Sequence, residues 1–277
     1  MKYILNILFV FTIGLTYSQQ GPIIRLNHLL VVVDSATYSA LCDSSLKTKE
    51  LWYSHQKQLK DWEGLYIIGE NNYLEIFHPN SFNGNPMLKG ENWTCYASMK
   101  SEYLESLSYD STYVKFDEDD YTQTLSFALN DYLSPFEIWE MKALQYETWT
   151  KQWTKKEFES GMSFNPVDYN SPAESDSSKN YLFNDIVGIT YTIPSIDSVK
   201  TIGFFEICGY SITERTIDMV SFDNGAERVT LFFKDEINTV LVNSIELKLN
   251  QNCRKKEYLI GLSKLVIDGN TAIWNFN

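Results

Sequence analysis

The segment LNHLLVVVDS, residues 26–35, is a run of β-forming side chains with one histidine, His28, near its start and an Asp–Ser pair at its end. Branched aliphatic residues favour a strand, and Asp or Ser favours the position that begins a helix. The segment YLEIFHP, residues 73–79, is a second apolar run and carries one carboxylate, Glu75. A histidine and a glutamate held on neighbouring strands would form half of a metal site.

The residues between these two runs complete a structural unit. Apolar residues at helical spacing predict a helix over 36–46, and strand-like patterns predict strands over 51–57 and 62–68. The tetrapeptide GENN at 69–72 is typical of a turn. Residues 25–79 therefore have the predicted order β-α-β-β-β.

The same order recurs twice along the chain. In the second copy, a strand, a helix and three strands are predicted over 93–99, 102–108, 113–116, 122–129 and 136–141. In the third copy, the corresponding elements are predicted over 186–193, 194–205, 211–220, 228–234 and 244–249. Two closing strands, 261–267 and 271–276, flank Asp268-Gly269-Asn270, a sequence that predicts a hairpin turn.

A polar stretch separates the second copy from the third. Aromatic residues at helical spacing predict a helix over 145–159, and residues 161–180 are rich in Asn, Ser, Pro and Asp. The expected fold class is α+β, built from tandem β-α-β-β-β modules with mixed sheets. The expected divisions are paired modules over 25–147, a helix and linker over 148–184, and a third module with extra strands over 185–277.

The first 18 residues are typical of a secretory signal peptide. Lys2 is followed by an apolar run over 3–15 and by Thr16-Tyr17-Ser18. The alternative, a membrane anchor, needs about 20 apolar residues, and this run is shorter. We therefore expect a secreted or periplasmic protein that does not associate with a membrane after residues 1–18 are removed.

The chain is strongly acidic, with a formal net charge of −13. Proteins that bind nucleic acid or anionic membranes carry clusters of Lys and Arg. The longest basic run is Arg254-Lys255-Lys256. Nucleic acid is therefore not an expected partner, and a small molecule is.

The four cysteines do not show the CxxC spacing of a zinc ribbon. An oxidising compartment would permit one disulfide, and Cys208 with Cys253 is the pair expected, since both fall in the C-terminal third. The alternative is that all of them are free thiols.

The tandem units, with NHLLVVVDS and YLEIFHP, resemble the glyoxalase/bleomycin-resistance/extradiol-dioxygenase group, the vicinal oxygen chelate superfamily. Further parts of the pattern are WTCYASM at 93–99, FEIWEMKALQYE at 136–147 and GLSKLVIDGNTAIWNF at 261–276. Over most of residues 25–277 the chain looks similar to a family of uncharacterised secreted bacterial proteins in that superfamily. The resemblance implies that two modules pair edge to edge and that their curved sheets form a cup for a divalent metal.

In that superfamily the first strand of a module often supplies a histidine ligand, and the last strand a glutamate. These places fall on His28 and Glu75 in the first module and on Glu140 in the second. The resemblance thus implies a site for iron, manganese, nickel or zinc with open positions for water or substrate. Other interpretations remain open. His28 can be a structural polar residue at the end of a strand, and Glu75 can be a surface charge. On the last strand of the second module, Glu137 is an alternative to Glu140 as the inward-facing residue.

The sequence departs from the family pattern at two places. In the second module, the position that corresponds to the first-strand ligand falls near Trp93, which cannot bind a metal. Glu91 or Asn92 would therefore have to act as the ligand instead. In the third copy the first-strand place falls near Gly188, whereas Glu246 matches the last-strand place.

Three functions are compatible with these features. The first is a metal-dependent lyase, isomerase or oxygenase that acts on a small oxygen-bearing molecule, with the metal as a Lewis acid. The second is a metal-free protein that binds a small apolar or aromatic molecule, as resistance-type members of the superfamily do. The third is a structural or interaction protein that has lost the site.

Overall fold

The computed structural model describes residues 24–43, 51–58, 62–82, 86–98, 104, 107, 113–117, 122–129, 133–141 and 181–276. Within these residues the chain forms two mixed sheets, one of eight strands and one of six. The signal peptide, the helix over 145–159 and the linker over 161–180 lie outside the described residues and stay predictions. Within the described part, no helix has the length and hydrophobicity of a membrane-spanning segment.

The first module has the predicted order of elements. Its members are β1 (Ile24–Val32), α1 (Ser35–Cys42), β2 (Tyr53–Gln58), β3 (Glu63–Ile68) and β4 (Tyr73–Phe77). Asp34 caps the helix, since its carboxylate accepts a hydrogen bond from the backbone N–H of Thr37 at 2.9 Å. Strand β4 pairs in parallel with β1, which gives the strand order β2-β3-β4-β1.

The second module repeats this arrangement. Its strands are β5 (Asn92–Ser98), β6 (Tyr113–Asp117), β7 (Thr122–Ala128) and β8 (Leu133–Met141). Strand β8 pairs in parallel with β5, and β5 pairs with β1 in antiparallel fashion. The two modules thus meet edge to edge in one sheet of order β2-β3-β4-β1-β5-β8-β7-β6. Most of the predicted helix over 102–108 lies outside the described residues.

The third module forms the core of the second sheet. Its elements are β9 (Phe183–Pro194), a 3-10 turn (Ser195–Asp197), α2 (Ser198–Ile207), β10 (Ser211–Arg215), β11 (Met219–Asp223) and β12 (Arg228–Lys234). After the helix, Gly209 has a φ of 83°, a value that favours glycine. Strand β12 is parallel to β9, and a long hairpin of β13 (Leu241–Ile260) and β14 (Ser263–Asn275) pairs with the other edge of β9.

Two of the strand predictions in this region are wrong. The segment 211–220 is two strands, β10 and β11, because the chain turns at 216–218 and the Thr216 N–H bonds the Met219 carbonyl at 2.8 Å. This turn lacks the Gly, Pro or Asn that marks a turn in sequence.

The predicted hairpin at Asp268-Gly269-Asn270 is the second error. The turn lies instead at Gly261-Leu262, between Ile260 and Ser263, and β14 runs on through Gly269. The pairing of β13 with β14 is irregular on both sides of Gly269, which has a φ of 66°. The indole N–H of Trp274 bonds the Ser263 hydroxyl at 2.9 Å, although eleven extended residues span roughly 35 Å. Strand β14 therefore folds back on itself around Gly269.

The two sheets pack against each other through one face of each, with α2 contributing to the same core. Tyr96 and Phe136 of the first sheet contact Phe204 and Phe205 of α2 at ring-centroid distances of 5.4–5.9 Å. The Thr94 hydroxyl lies 2.9 Å from the hydroxyl of Tyr191 on β9. Because strand residues alternate between faces, the neighbours of these residues lie on the opposite, outer face of the first sheet.

All four cysteines are free thiols. The predicted bridge between Cys208 and Cys253 is therefore wrong, and the alternative of free thiols is confirmed. Cys208 is buried at the end of α2, where burial raises the pKa of its thiol. Cys253 lies opposite Gly269 in the hairpin.

Candidate functional site

The outer face of the first sheet brings His28 beside residues from three other strands. In one row, the register places Tyr73, His28, Cys95 and Glu137 side by side on β4, β1, β5 and β8. In the next row it places Tyr66, Glu75, Leu30 and Trp93 on β3, β4, β1 and β5. Cross-strand neighbours share a face, and so do residues two apart on one strand. We call the following set the aromatic face: His28, Tyr66, Tyr73, Glu75, Trp93, Glu137 and Trp139.

A β-bulge in β1 sets the surroundings of His28. The register shifts between Leu26 and His28, which leaves Asn27 as an extra residue. The amide oxygen of Asn27 lies 2.8 Å from Nδ1 of the buried His28 ring. The ring stacks on Tyr73 at 4.8 Å and meets Trp139 edge-on at 5.4 Å. The imidazole is thus held by one hydrogen bond and two aromatic neighbours.

This environment keeps His28 neutral. Burial lowers the pKa of His28 to about 3, because the imidazolium ion would lose its hydration. With the amide oxygen of Asn27 as its partner, Nδ1 carries the proton and Nε2 keeps its lone pair. At neutral pH His28 therefore adds polarity to the aromatic face without adding charge.

The low pKa of His28 makes folding sensitive to acid. The folded-state value of about 3 lies below the ordinary 6.5, so the unfolded chain binds the proton more readily. Stability should therefore fall as pH decreases from about 6.5 towards 3, by up to about 1.4 kcal/mol per pH unit from this group. Denaturant unfolding at pH 7.5, 6, 5 and 4 should show a steeper loss for the wild type than for His28→Gln. Parallel profiles would contradict the assignment of a buried neutral imidazole.

Glu137 is the shared hydrogen-bond acceptor of two tryptophans at the centre of the aromatic face. Its oxygen Oε2 accepts hydrogen bonds from the indole N–H of Trp93 at 3.1 Å and of Trp139 at 2.8 Å. The Glu137 side chain is buried, whereas Trp93 is 40% exposed. One carboxylate oxygen thus fixes one edge of each ring.

Aromatic rings continue from His28 along the first module. Tyr73 stacks on Tyr66 at 6.1 Å, and Trp62 packs against Tyr66 and Phe77 at 6.2 and 5.8 Å. Phe77 in turn stacks on Phe82 at 4.7 Å. Among the described side chains, this side of the face is therefore mainly aromatic, and it includes the half-buried Glu75.

The structure brings His28 and Glu75 to the same face, on adjacent parallel strands, as the sequence predicts. Of the two alternatives on β8, Glu137 is buried in the row of His28. Glu140 lies three residues further along, opposite Gln123, and its side chain is outside the described part of the chain. The roles of His28, Glu75 and Glu140 as metal ligands stay predictions.

The residues considered as replacements for the fourth ligand have other partners. The amide of Asn92 donates to the Val240 carbonyl at 3.0 Å, and Glu91 accepts from the Leu88 N–H at 2.9 Å. In the third module, Glu246 lies on β13 opposite Gly188 and pairs with Arg228 at 3.7 Å. Glu246 is thus on the hairpin strand rather than on the last strand of its module.

Two residues of the aromatic face are poorly suited to bind a metal ion. Trp93 offers no ligand atom, and the Oε2 atom of Glu137 is already engaged by two indole N–H groups. Among the described side chains, no three from His, Cys, Asp and Glu are grouped closely enough to hold an ion. The face is better described as an aromatic surface with an acidic centre.

Sequence reasoning missed the tryptophan pair and the role of Tyr73. The signal available was the alternation in FEIWEM, since Glu137 and Trp139 are two residues apart and so share a face of β8. Nothing local shows that Trp93, more than forty residues earlier, donates to the same carboxylate.

These features define an α+β protein of tandem β-α-β-β-β modules with an aromatic outer face. Residues 26–276 match the model of DUF5829, a family of unknown function, and the chain belongs to that family. Its membership of the vicinal oxygen chelate superfamily stays a prediction. None of the curated proteins matches the chain significantly.

Two solved structures show a similar arrangement at low identity. One is a hypothetical protein from Staphylococcus aureus, with 10% identity, a TM-score of 0.47, and coverage of 86% of this chain and 97% of that chain. The other is a xylose isomerase-like TIM barrel/4-hydroxyphenylpyruvate dioxygenase fusion protein, with 9% identity, a TM-score of 0.45, and coverage of 79% of this chain and 35% of that chain.

Proposed function

We propose that this protein binds a small molecule with an aromatic or apolar body on the aromatic face, without a metal. The observation that carries this proposal is the Trp93–Glu137–Trp139 cluster beside the neutral His28. Ligand sites are mostly apolar and aromatic, with a few fixed polar groups that orient the ligand. The cluster supplies both, because its rings are held in place before a ligand arrives.

A partly open edge makes the face accessible. Trp93 is 40% exposed, and Trp139 and Glu75 are half-buried, whereas Tyr66, Tyr73 and His28 behind them are buried. A ligand that covers these rings removes apolar area from water, which stabilises the complex by about 25 cal/mol per Å². The existing hydrogen bonds to Glu137 need not break.

The proposal predicts that Trp93→Ala weakens the binding of aromatic probes by about tenfold, since buried aromatic contacts contribute strongly to binding. The probes are 2-phenylethanol, 2-phenylethylamine and phenylacetate, and the readout is the indole N–H signals in proton–nitrogen NMR titrations. Phe232→Ala is the matched control, because Phe232 is 41% exposed on the other sheet. If no probe shifts the signals of Trp93 and Trp139, or if the control weakens binding equally, the proposal is wrong.

The metal-dependent alternative has one favourable feature, the neutral His28 with a free Nε2 lone pair on the same face as Glu75. Metal content by mass spectrometry distinguishes the two functions. Stoichiometric iron, manganese, nickel or zinc in the wild type, lost in the His28→Ala, Glu75→Ala double variant, would overturn the metal-free proposal. The protein would then be a candidate lyase, isomerase or oxygenase.

A further inference from the structure

We infer that Glu227 of the third module is a positioning residue for the aromatic face: it holds the bulged segment of β1 and thereby fixes the ring of His28. The inference rests on the proposed function, because it concerns the polar group that this function places beside the ligand. Glu227 belongs to the turn before β12 and contacts Leu26, 201 residues earlier in the chain. The third module thus contributes to a site on the first.

The start of β1 lacks a strand partner on its β4 side. The pairing of β4 with β1 begins at His28, so β4 offers no acceptor to the preceding residues of β1. The N–H of Leu26 donates to both carboxylate oxygens of Glu227, each at 3.2 Å, and this contact is buried. A buried N–H without an acceptor is costly. The carboxylate therefore supplies the acceptor that β4 does not.

Groups of its own module hold the Glu227 carboxylate in place. The Tyr210 hydroxyl donates to its Oε2 atom at 2.7 Å, and the side-chain amide of Asn224 donates to the same atom at 3.3 Å. The backbone N–H of Glu227 donates to the Asn224 amide oxygen at 2.8 Å. Burial raises the pKa of Glu227, and its hydrogen-bond donors and the charge of Arg25 oppose that rise. Glu227 is thus a fixed point to which β1 is attached.

The attachment point lies directly before the β-bulge. Leu26 is followed by the extra residue Asn27 and then by His28. A bulge re-aims the side chains around it, and a shift of a strand by one residue exchanges its two faces. Such a shift of β1 would break the hydrogen bonds between Leu26 and Glu227. These bonds therefore help to keep His28 on the aromatic face.

Asn27 links the position of the bulge to the His28 ring. Its amide oxygen lies 2.8 Å from Nδ1 of His28, whereas its buried Nδ2 atom has no hydrogen-bond partner in the described part of the structure. The amide is therefore oriented by the backbone of the bulge and by the His28 ring. If the bulge is displaced, the amide oxygen leaves the ring, and Nδ1 loses the partner that fixes its proton.

The tautomer and the pKa of His28 test this role by NMR. Long-range proton–nitrogen spectra distinguish Nδ1–H from Nε2–H, and the spectrum of His28→Gln assigns the signal. In the wild type the ring should carry its proton on Nδ1 and remain neutral above about pH 4, since burial lowers its pKa to about 3. Glu227→Ala should raise this pKa by about two units, because a displaced ring regains hydration. Loss of a nearby negative charge would instead lower it, so the sign separates displacement from electrostatics.

Glu227→Gln is the rescue variant. Its amide oxygen can still accept from the Leu26 N–H, and its amide N–H can donate to the Tyr210 oxygen. It should keep the wild-type tautomer and pKa of His28. If Glu227→Ala does not fold, Tyr210→Phe removes one donor that holds Glu227 and should raise the His28 pKa by a smaller amount, about half a unit.

Asn92→Ala is the matched control. It removes another buried hydrogen bond between the sheets, to the Val240 carbonyl at 3.0 Å, and it lies on β5 three residues from the partner of His28. It should lower stability and leave the His28 signal unchanged. If Glu227→Ala leaves the tautomer and pKa of His28 unchanged, or if Asn92→Ala changes them equally, Glu227 only ties the sheets together and the inference is wrong.

Binding of 2-phenylethanol separates this inference from the proposed function. Glu227→Ala should weaken binding by about threefold, because the site is no longer preorganised, and Glu227→Gln should stay within about twofold of the wild type. If the wild type does not bind the probe but the His28 signal shifts as expected, the proposed function is wrong and the positioning of His28 by Glu227 stands. If the wild type binds and the His28 signal does not shift, only the inference is wrong.

Discussion

Replacement of Trp274 by alanine is expected to lower the free energy of unfolding by about 3–5 kcal/mol, the range typical of a buried large aromatic residue. The indole is fully buried and stacks on Trp52 at 5.3 Å, and it packs against Phe276 at 5.2 Å. Its N–H also holds the Ser263 hydroxyl at 2.9 Å. The substitution would leave a cavity where the folded-back β14 meets the first module, and the Ser263 hydroxyl would keep only its hydrogen bond to the Ile260 carbonyl at 2.8 Å.

Urea unfolding followed by circular dichroism measures this change. Ile273→Ala is the matched control, since Ile273 precedes Trp274 on the same strand but is 47% exposed, and it should change stability by less than about 0.5 kcal/mol. If Trp274→Ala fails to fold, Trp274→Phe keeps most of the ring and removes the donor, and Ser263→Ala removes the acceptor. Equal stability of Trp274→Ala and Ile273→Ala would show that β14 does not fold back.

Gly261→Ala is expected to have the second large effect, because two separate penalties apply at this position. Gly261 has a φ of 59°, and the left-handed conformation costs a residue with a Cβ roughly 1–2 kcal/mol. A Cβ would also overlap the backbone nitrogen of Thr37 and the carbonyl carbon of Ala36. Since backbone atoms of α1 cannot move aside alone, the hairpin tip would have to separate from the helix.

Separation of the hairpin tip from α1 would break two hydrogen bonds of the Thr37 hydroxyl. This hydroxyl accepts from the Leu262 N–H at 3.2 Å, and its one proton is shared between the Ile260 carbonyl at 3.0 Å and the Asp34 carboxylate at 2.8 Å. We expect a total loss of stability of roughly 3–4 kcal/mol, in which the part beyond backbone strain comes from these two hydrogen bonds. Thermal and urea unfolding of the Gly261→Ala variant measure this loss.

Gly225→Ala separates the two penalties. Gly225 has a φ of 85°, but a Cβ there would meet no atom within 4 Å. Only the strain of roughly 1–2 kcal/mol should remain. If the two glycine variants lose the same stability, the close approach of the hairpin tip to α1 does not contribute, and the packing of β13 and β14 against the first module would be wrong.

The candidate site was predictable in part. His28 and Glu75 could be assigned to one face because each lies in a short apolar run with a clear β pattern, and parallel pairing of β1 with β4 then aligns them. The choice between Glu137 and Glu140 could not be made from the sequence. It depends on how β8 is aligned with β5, and the register of parallel strands is set by contacts between distant segments.

The role of Trp93 could also be predicted from the sequence only in part. The sequence shows that an indole stands at the place where the family resemblance implies a ligand, and this predicts a departure from metal binding. It does not show that the indole N–H donates to Glu137 at 3.1 Å, or that Trp139 shares that acceptor. The hydrogen bond of Trp93 joins the first and last strands of a module, so only the folded sheet creates it, whereas that of Trp139 lies within β8.

The sequence by itself determined the three repeats of β-α-β-β-β, because residue alternation, helix caps and polar turns are local properties of the chain. The tertiary structure decided the turn at Gly261, the bend of β14 at Gly269 and the free state of Cys208 and Cys253. It also decided that the aromatic face gathers around Glu137. These features depend on contacts between backbone and side-chain groups that are distant in sequence, and local sequence patterns do not specify those contacts.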